Sequence, residues 1–543
     1  MNCCGGCVQI HSHASGHVEE WQRNGGRGNE EETTEDFSLS LLDAIPLPPF
    51  LCLESCPVPP LALGTPLLVK RSHLIPSLLT LLILAGAPSL SAADTRWLPD
   101  PKPRVFVLTD ISNEPDDEES MVRFLVYANE YDIEGLVATT STWLRNTTRV
   151  DLIQRQLNAY GQVRDNLLKH APGFPSKEQL RDVTAVGQPA YGMAAVGEGK
   201  YTAGSRLLLA AADRSDERPL WVTVWGGANT LAQALFDARK ERSPDAFKQL
   251  IAKLRVYTIS DQDDSGPWLR REFPGLFYIV SPSGTDWKEY WRATWTGISG
   301  DRHYKNGPGH KFQLVDNPWL EENIIKNHGT LGALYPKLEY IMEGDTPSFL
   351  GLINNGLGWH VSPAYGGWGG RYVSYQAYGE TRPIWTNNQD SRDTVTAENG
   401  QTECTDMATI WRWREHFQND FAARMDWCVA DDVKKANHNP IAVVNGDTSK
   451  RVLEIAAKSG ETIKLSAAGS RDPDGHNLTT SWFVYREPGS FTGEVKLSAV
   501  GETVSFVAPA TKQPATIHLI LQLADSGNPS LFAYRRAVIT LQP

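Results

Sequence analysis

Cysteine is scarce in this chain and is concentrated near its start. The sequence contains 7 cysteines in 543 residues. Five of them lie before residue 60: Cys3, Cys4, Cys7, Cys52 and Cys56. Among these five, no second Cys-x-x-Cys pair matches the first, which disfavours a metal knuckle. Further along lie only Cys404 and Cys428, separated by a helical pattern over 407–424. One unbroken helix would hold these two roughly 35 Å apart, so a disulfide needs the chain to double back, and their pairing stays open.

The chain also has fewer basic than acidic residues and few long apolar runs. The chain has 64 acidic residues against 52 basic ones, for a formal net charge of -12. A net negative protein repels polyanions, so we expect no nucleic-acid partner. The apolar stretch 74–87 is broken by Pro76 and is too short for a membrane span, so we expect no stable membrane anchor.

That same stretch is typical of an export signal. Lys70 and Arg71 precede it, and the small residues Ser91, Ala92 and Ala93 follow it. A charged segment, an apolar segment and a small-residue cleavage site predict a signal peptide over 70–93 and a secreted or periplasmic protein. Signals normally begin a chain. We therefore interpret residues 1–69 as a non-native or disordered extension from a start codon placed too far upstream, with a Cys-rich metal knuckle as the alternative.

The strongest pattern in the chain is the acidic stretch that follows its first predicted strand. Residues 105–108 are apolar and β-rich, and a helical spacing begins at Met121. Asp110, Glu114, Asp116 and Asp117 lie between them without an intervening base. These acids either complement the positive end of the helix or bind a hard cation such as Ca²⁺ or Mg²⁺. The carboxyl end of a strand is where open α/β sheets bind ligands.

Further strand–helix units predict a mostly parallel sheet with helices on both faces, over residues 94–430. The predicted strands cover 135–140, 220–225 and 254–260, and 149–168 is an amphipathic helix. Residues 171–204, rich in Gly and Pro, are expected to form a long surface excursion, a lid or a rim. The acidic loop 261–264 again follows a strand, which favours a place beside the pocket.

The end of the chain has a different pattern. Residues 431–439 are polar and predict a linker, and 440–543 predict an all-β sandwich. Short alternating strands are expected at 441–444, 461–465, 480–485, 503–507, 515–523 and 537–541. The sequence from Gly469 to Gly475, followed by Trp482, resembles immunoglobulin-like modules of the polycystic-kidney-disease type. Its Asp472-Pro-Asp-Gly is first a turn, with a Ca²⁺ site as the weaker alternative.

The acidic stretch carries a family resemblance. A strand that ends in Asp110, followed by Pro115 and the pair Asp116-Asp117, resembles nucleoside hydrolases. The whole of 109–117, with the Gly-rich aromatic loop 366–372, resembles a bacterial secreted family described as cellulose-binding proteins with a nucleoside-hydrolase-like domain. The similarity extends from about Lys102 to about Val443 and into the C-terminal domain.

This resemblance implies a set of functional residues. Ca²⁺ would be held by Asp110, Asp117, Asp345 and the main-chain carbonyl of Trp225. The residues that it places at the substrate, with the aromatic loop as a sugar platform, are Asn146, Asn229, Trp359, Trp368 and Arg371. Asp116 would orient the sugar, and catalysis would involve Asp110, Glu114 and Asp116.

The chain departs from the nucleoside hydrolase pattern at two positions. Ser112 stands where that family has a second Asp, proposed as base and metal ligand, and a hydroxyl cannot accept the proton as a carboxylate does. Glu114 is the nearest substitute. Gly344 stands where a His usually precedes the last ligand, here Asp345. Two functions follow: metal-assisted hydrolysis of an (N-)glycosidic bond, or non-catalytic binding of a polysaccharide such as cellulose on the same fold. Either implies a carbohydrate or glycoside ligand, and the oligomeric state stays open.

Overall fold

A computed structural model describes residues 101–112, 114–281, 298, 311–339, 342–377, 379–387, 391–397 and 399–543. The predicted signal peptide and the extension before it lie outside these residues. Within the described part, no helix is long and apolar enough to cross a membrane.

The first folded region alternates strands and helices. In chain order its elements are β1 Arg104–Thr109, α1 Asp116–Val126, β2 Asp132–Ala138, α2 Val150–His170, α3 Lys177–Asp182, β3 Thr184–Val186, α4 Ala203–Ala212, β4 Leu220–Val224, α5 Asn229–Glu241, α6 Pro244–Lys253, β5 Leu254–Thr258, α7 Ser265–Glu272, β6 Phe277–Ile279, α8 Asn317–Leu320, α9 Gly329–Gly332, α10 Pro347–Leu350, β7 Val373–Tyr375, β8 Ile384–Thr386, β9 Asp393–Thr396, β10 Thr402–Thr405, α11 Ala408–Trp411 and α12 Arg414–Trp427.

The main sheet has the order β3-β2-β1-β4-β5-β6-β8-β7. Its neighbours pair in parallel except β7, which runs antiparallel to β8. The chain moves outward from β1 to β3 and then returns to the other side of β1 with β4. The order therefore reverses between β1 and β4, and the carboxyl ends of these two strands flank the crevice where such sheets bind ligands.

Both faces of this sheet are covered. Along β1, Val105 and Val107 pack into one apolar cluster with α1 and α2, whereas Phe106 and Leu108 pack into a second cluster with α4 and α5. All four side chains are fully buried. Burial on both faces explains why β1 is a continuous apolar run rather than an alternating one, and it confirms the predicted sheet with helices on both faces.

Residues 171–204 are more regular than a surface excursion. They contain α3, the edge strand β3 of the main sheet and the start of α4, so the prediction of a long surface excursion, a lid or a rim, is wrong for this segment. Strand β3 has only three residues and pairs with β2 alone. A strand this short leaves too little periodicity to be recognised in the sequence.

The C-terminal region is all-β, as predicted. Its strands are β11 Leu453–Lys458, β12 Thr462–Ser466, β13 Leu478–Tyr485, β14 Ser498–Val500, β15 Thr503–Val507, β16 Ala515–Asp525 and β17 Phe532–Gln542. They form two sheets, β11-β17-β16-β13 and β12-β15-β14, whose inner faces share one apolar cluster. The strand expected at 441–444 is wrong, because Ile441 and Val444 form only isolated bridges, to Arg471 and Asp447.

The sandwich packs directly against the first region. Tyr485, Phe532 and Tyr534 belong to the same apolar cluster as the helices that cover the main sheet. The backbone amides of Tyr534 and Arg536 donate to the carbonyls of Asn355 and Gly356, at 3.2 and 3.1 Å. The connecting segment 431–439 includes a short 3₁₀ turn, Val433–Lys435, and the buried residues Asn437 and His438.

Candidate functional site

Five carboxylates converge at the reversal of the strand order, and we call them the carboxylate cluster: Asp110, Glu114, Asp116, Asp117 and Asp345. Asp110 follows β1 directly, and Asp116 and Asp117 form the first turn of α1. Asp345 comes from a distant part of the chain, just before α10. The carboxylate oxygens of Asp116, Asp117 and Asp345 lie within 4.8 Å of one another, close enough to share one ion.

Four of the five members are deeply buried, and Glu114 is half-buried. Asp110, Asp116 and Asp117 are 5%, 7% and 5% exposed, and Asp345 is 1% exposed. Among the described residues, no hydrogen-bond donor reaches Asp110 Oδ1, Asp116 Oδ1 or Asp345 Oδ2. Burying a charged oxygen without a partner costs roughly several kcal/mol, more than burying a neutral polar group. These oxygens therefore need a proton or a cation.

Helix capping does not explain these acids. The N-cap of α1 is Pro115, and no side-chain capping hydrogen bond is present among the residues described there. One oxygen of Asp117 instead accepts a hydrogen bond from the Thr109 hydroxyl, at the end of β1. The N-cap of α10 is Thr346, so Asp345 is not a cap residue either. A favourable helix dipole still applies to Asp116 and Asp117, but it does not supply the missing partners.

Burial and mutual repulsion perturb every member of the cluster. Burial raises the pKa of Asp110 to about 6, although a hydrogen bond from Ser141 opposes the shift. Burial, and then the charge of Asp110, raises the pKa of Glu114 to about 7. For Asp116, Asp117 and Asp345, burial and then the neighbouring carboxylates raise the pKa well above its usual range. Perturbation of this kind concentrates at functional sites.

The turn after β4 approaches the cluster from the other side of the crevice. A Cβ atom added to Gly226 would lie 2.4 Å from Asp110 Oδ1, so only glycine lets the backbone come this near. The preceding carbonyl, that of Trp225, accepts a hydrogen bond of 2.5 Å from Gln262 Nε2. A carbonyl oxygen has two lone pairs, so this bond leaves one for a cation.

The position that departs from the nucleoside hydrolase pattern has an unusual backbone. Ser112 has a φ of 133°, which L-residues seldom adopt. It forms an isolated bridge with Glu114, and Arg149 Nη1 lies 3.5 Å from its hydroxyl. Arg149 would form an ion pair with a carboxylate at position 112, whereas it can donate a hydrogen bond to the Ser112 hydroxyl. The carboxylate beside Ser112 is that of Glu114.

The two predicted asparagines differ in placement. Asn229, at the start of α5, is fully buried. Its amide donates to Thr140 Oγ1 and to the Ala190 carbonyl, at 2.9 and 2.8 Å, and its oxygen accepts from Thr139 at 3.2 Å. Asn229 therefore joins the loops at the carboxyl ends of the strands. Asn146 is exposed in the loop that follows β2.

The other three residues predicted at the substrate, Trp359 and the loop residues Trp368 and Arg371, lie in the protein interior. Trp359 and Trp368 are each 2% exposed, and Arg371 is 5% exposed. Trp359 Nε1 donates to the Gly370 carbonyl at 2.8 Å, and Trp368 Nε1 donates to the Tyr534 hydroxyl of the sandwich at 3.3 Å. Their ring faces are covered by protein and cannot stack on a sugar in this structure.

Arg371 completes a polar contact that supports the same packing. Its Nε donates to Asp393 Oδ1 at 2.7 Å, and the other oxygen of Asp393 accepts from Tyr485 of β13 at 2.5 Å. The Gly-rich aromatic loop 366–372 is therefore a surface on which the sandwich docks. A Trp-rich loop suits a sugar platform or a domain contact equally well from sequence alone.

Residues not singled out in the sequence also shape the site. Ser141 and Thr109 hold Asp110 and Asp117, and both lie at or just past the carboxyl end of a strand. That position was the available signal for them. Asp263, in the acidic loop after β5, is 5% exposed, and burial raises its pKa to about 6. A Cβ atom on Gly227 would lie 2.5 Å from Asp263 Oδ2, so this loop borders the crevice as expected.

Neither remaining cysteine forms a disulfide. Cys404 is exposed and Cys428 is buried, and both are free thiols. The helical pattern between them divides into α11 and α12.

Comparison with known proteins agrees with this architecture. Residues 104–372 match a family described as cellulose-binding Sde182, nucleoside hydrolase-like domain. Residues 462–541 match a family described as cellulose-binding protein Sde0182, C-terminal domain. No curated protein sequence matches the chain.

Among solved structures, one is similar over most of the chain. It is a nucleoside hydrolase-related protein from Saccharophagus degradans, described as associated with carbohydrate metabolism, with 40% identity and a TM-score of 0.69. The match covers 81% of this chain and 100% of that one. The type III effector XopQ, solved with adenosine diphosphate ribose, matches 62% of this chain and 97% of its own, but its 13% identity and TM-score of 0.29 support no conclusion. The chain therefore belongs to the Sde182 family of cellulose-binding proteins, which carry a nucleoside hydrolase-like domain.

Proposed function

We propose that this is a secreted protein that binds a glycoside at the carboxylate cluster and hydrolyses its glycosidic bond, an N-glycosidic bond by analogy with the fold, with the help of Ca²⁺. One observation carries the proposal: Asp110, Asp116 and Asp345 each have a buried carboxylate oxygen that accepts no hydrogen bond from the described residues. Capping, ion pairing and solvation each leave such oxygens unexplained. The family description supports a carbohydrate ligand and, with it, an extracellular location.

The donor set fits a hard divalent cation. Every side-chain ligand is a carboxylate, which Ca²⁺ and Mg²⁺ prefer, and Ca²⁺ tolerates the irregular arrangement that one helix turn and two loops provide. By analogy with nucleoside hydrolases, Asp110, Asp117, Asp345 and the Trp225 carbonyl would hold the ion. Asp116, whose carboxylate lies within 4.8 Å of those of Asp117 and Asp345, would border it. When bound, it would lower the pKa of a water molecule and screen the mutual repulsion of the carboxylates.

Each carboxylate near the ion has a separate role in the proposed hydrolysis. Asp116, next to the ligand Asp117, orients the sugar hydroxyls. Glu114 takes a proton from the attacking water, whose oxygen bonds to the anomeric carbon while the leaving group departs with the electron pair of the broken bond and is protonated by solvent. The negative charge of the cluster stabilises the oxocarbenium-like transition state. Burial and the charge of Asp110 raise the pKa of Glu114 to about 7 without the ion, and a bound cation would lower it again, so Glu114 would be ionised and able to accept a proton near neutral pH.

Glu114→Gln tests this base directly. The substitution keeps the size of the side chain but removes its ability to take a proton, so we expect kcat to fall by about 10²–10⁴-fold. The wild-type rate should rise with pH as Glu114 loses its proton, at a pH below the value of about 7 that holds without the ion, because bound Ca²⁺ lowers the pKa of a nearby carboxylate; the variant should lose that rise. A panel of nucleosides and nitrophenyl glycosides, assayed with Ca²⁺, provides the measurement.

Glu118→Gln is the matched control. Glu118 lies on the same helix, but it points to Arg155, with which it forms an ion pair of 2.6 Å. Its loss should leave turnover unchanged. Equal rates for wild type and Glu114→Gln would remove Glu114 from the mechanism.

A second candidate function is binding without catalysis, and Ser112 is the observation that favours it. The hydroxyl replaces a carboxylate to which the nucleoside hydrolase pattern assigns proton transfer. In this case the protein would bind Ca²⁺ and a polysaccharide such as cellulose, but it would hydrolyse no member of the panel.

Trp143 is the aromatic residue best placed for such binding. It is 47% exposed, and its amide donates to Ser141 Oγ, the residue that holds Asp110. Exposed Trp faces stack on sugar rings. We expect Trp143→Ala to reduce binding to cellulose in pull-down assays. Tyr375→Ala, at a site 48% exposed on the edge strand β7, should not. Equal retention of both variants would exclude Trp143 as the contact.

A further inference from the structure

A turn at the tip of the C-terminal sandwich forms a second cluster of metal-binding side chains. Asp472, Asp474 and His476 lie just before β13, and each offers one ligand atom, all within 4.8 Å of one another. The backbone amides of Asp474 and His476 donate to Asp472 Oδ1, both at 2.9 Å, and these bonds fix the first carboxylate. The turn alone accounts for Oδ1 but not for the rest of the cluster.

The second oxygen of Asp472 requires a partner that the turn does not provide. The Asp472 side chain is 1% exposed. Its Oδ2 accepts no hydrogen bond from any residue that the structure describes. A buried carboxylate oxygen is costly unless a donor or a cation satisfies it.

The imidazole of His476 faces the same point. Within the described part of the chain, its buried Nδ1 also makes no hydrogen bond, although it lies 3.5 Å from Asp472 Oδ1. An unprotonated Nδ1 and a carboxylate oxygen repel each other at this separation, and either a proton on the imidazole or a cation beside both atoms relieves the repulsion. A bound cation would satisfy the carboxylate and the imidazole together.

Asp474 supplies a third ligand whose orientation is already set. Its carboxylate accepts from the backbone amide of His438 at 2.8 Å and from His438 Nδ1 at 3.0 Å. Metal-binding side chains are typically fixed by an outer layer of hydrogen bonds of this kind. A carboxylate oxygen that accepts one hydrogen bond still has a lone pair for a metal.

The cluster opens on a cavity of about 790 Å³ between the sandwich and the first folded region. Asp474, His476, His438 and His170 are among the residues that line it, so an ion and its water ligands can enter. The mixed nitrogen and oxygen donors suit Zn²⁺ and related transition metals, whereas Ca²⁺ prefers oxygen alone.

We propose that Asp472, Asp474 and His476 bind one transition-metal ion of the Zn²⁺ type, separate from the carboxylate cluster. The ion stabilises the contact between the two folded regions. His438 connects its ligand Asp474 to α2, because His438 Nε2 lies 3.0 Å from His170 Nδ1, and His170 Nε2 lies 3.0 Å from the Ala430 carbonyl.

Titration of Co²⁺ into the full chain tests the site. Co²⁺ takes the same ligands as Zn²⁺, and its absorption distinguishes nitrogen and oxygen ligands from thiolates, so binding by the N-terminal cysteines is recognised separately. We expect His476→Gln to lose one Co²⁺ of the nitrogen and oxygen type, or to bind it about 100-fold more weakly. Zn²⁺ should raise the Tm of the wild type and not that of the variant.

Two controls assign the loss to this site. Asp117→Asn, in the carboxylate cluster, and His360→Gln, a half-buried histidine elsewhere, should keep the His476-dependent ion. Asp472→Asn preserves the acceptor for the two turn amides and should lose the ion as well. The proposal is overturned if His476→Gln and wild type bind Co²⁺ with the same stoichiometry and affinity, or if the turn binds Ca²⁺ independently of His476.

Discussion

The carboxylate cluster shows how single residues conflict with the local rules of folding. Asp110 and Asp117 are nearly as buried as the apolar residues of β1, yet both are ionisable groups with acidic neighbours. Such an arrangement lowers stability unless a ligand compensates for it, which is why residues of this kind concentrate at functional sites.

The sequence could indicate part of this site. The acids that follow β1 are close together in the chain, so their type and spacing predict a cation site. Asp345 could be assigned only from family resemblance, because no local pattern links it to β1. For Trp359 and Trp368 the sequence leaves two roles open, because a Trp suits the interior as well as a sugar contact, and only tertiary packing decides between them.

Gly226→Ala is expected to damage the site without changing any ligand. Its Cβ would lie 2.4 Å from Asp110 Oδ1, so either the carboxylate or the β4 turn must move. We expect a loss of about 1–3 kcal/mol in the free energy of unfolding, together with weaker Ca²⁺ binding. Denaturant unfolding and calorimetry provide the two measurements.

Gly275→Ala is the control for this substitution. A Cβ there would meet its nearest atom, of Ile251, at 3.7 Å, an ordinary contact. If both variants keep full Ca²⁺ affinity, the β4 turn does not belong to the metal site.

At the scale of elements, the long units were predictable and the short ones were not. Strand β1 and helix α2 carry clear periodicity over 6 and 21 residues. Strands β3, β7 and β8 have three residues each, too few for a pattern, and their place is fixed by pairing with longer neighbours.

Strands β16 and β17 carry a buried pair, His518 and Arg536, at the contact between the sandwich and the first region. Arg536 donates to the carbonyls of Leu357 and Tyr365 across the interface, at 2.6 and 2.8 Å. A further nitrogen of Arg536 lies 3.0 Å from His518 Nδ1. Arginine can only donate hydrogen bonds, so His518 Nδ1 must carry no proton in order to accept one from Arg536.

This pair predicts an acid-sensitive interface. Burial, and then the charge of Arg536, lowers the pKa of His518 from 6.5 to about 3. A His with a lowered folded-state pKa contributes stability above pH 6.5 and loses it as pH falls toward about 3. We expect the free energy of unfolding to decline over this window. His518→Gln, which can still accept from Arg536, should show a smaller decline, and an unchanged pH profile would contradict this account.

At the scale of the whole molecule, two regions with different fold patterns pack as one body. All described residues fall in one compact unit of the chain, and Tyr485 and Tyr534 of the sandwich lie in the same apolar cluster as the α-helical layer. The sequence indicated both fold classes but not their contact. The contact depends on the shapes of the folded surfaces, which leave no periodic signal.

Gly356→Ala tests how far stability depends on this contact. Gly356 has a φ of 94°, and a Cβ there would lie 1.9 Å from the carbonyl oxygen of Tyr534. The clash should separate the two regions and lower the free energy of unfolding by about 1–3 kcal/mol beyond the backbone strain. Gly446→Ala, at a φ of 81° and with nothing within 4 Å, carries the strain without the clash. Equal losses for the two variants in denaturant unfolding would show that the contact adds little stability.

The central claim is that the buried carboxylates form a cation site, and calorimetric titration of Ca²⁺ into wild type and Asp117→Asn tests it most directly. Asn keeps the size of Asp and the acceptor for Thr109, so circular dichroism should show an unchanged fold. We predict that the wild type binds one Ca²⁺ per chain and that the variant loses it. If the acids only complement the helix dipole, the variant would lose about 0.3–1 kcal/mol of stability and nothing else. Absence of Ca²⁺ binding by the wild type, or equal binding by the variant, would contradict the account.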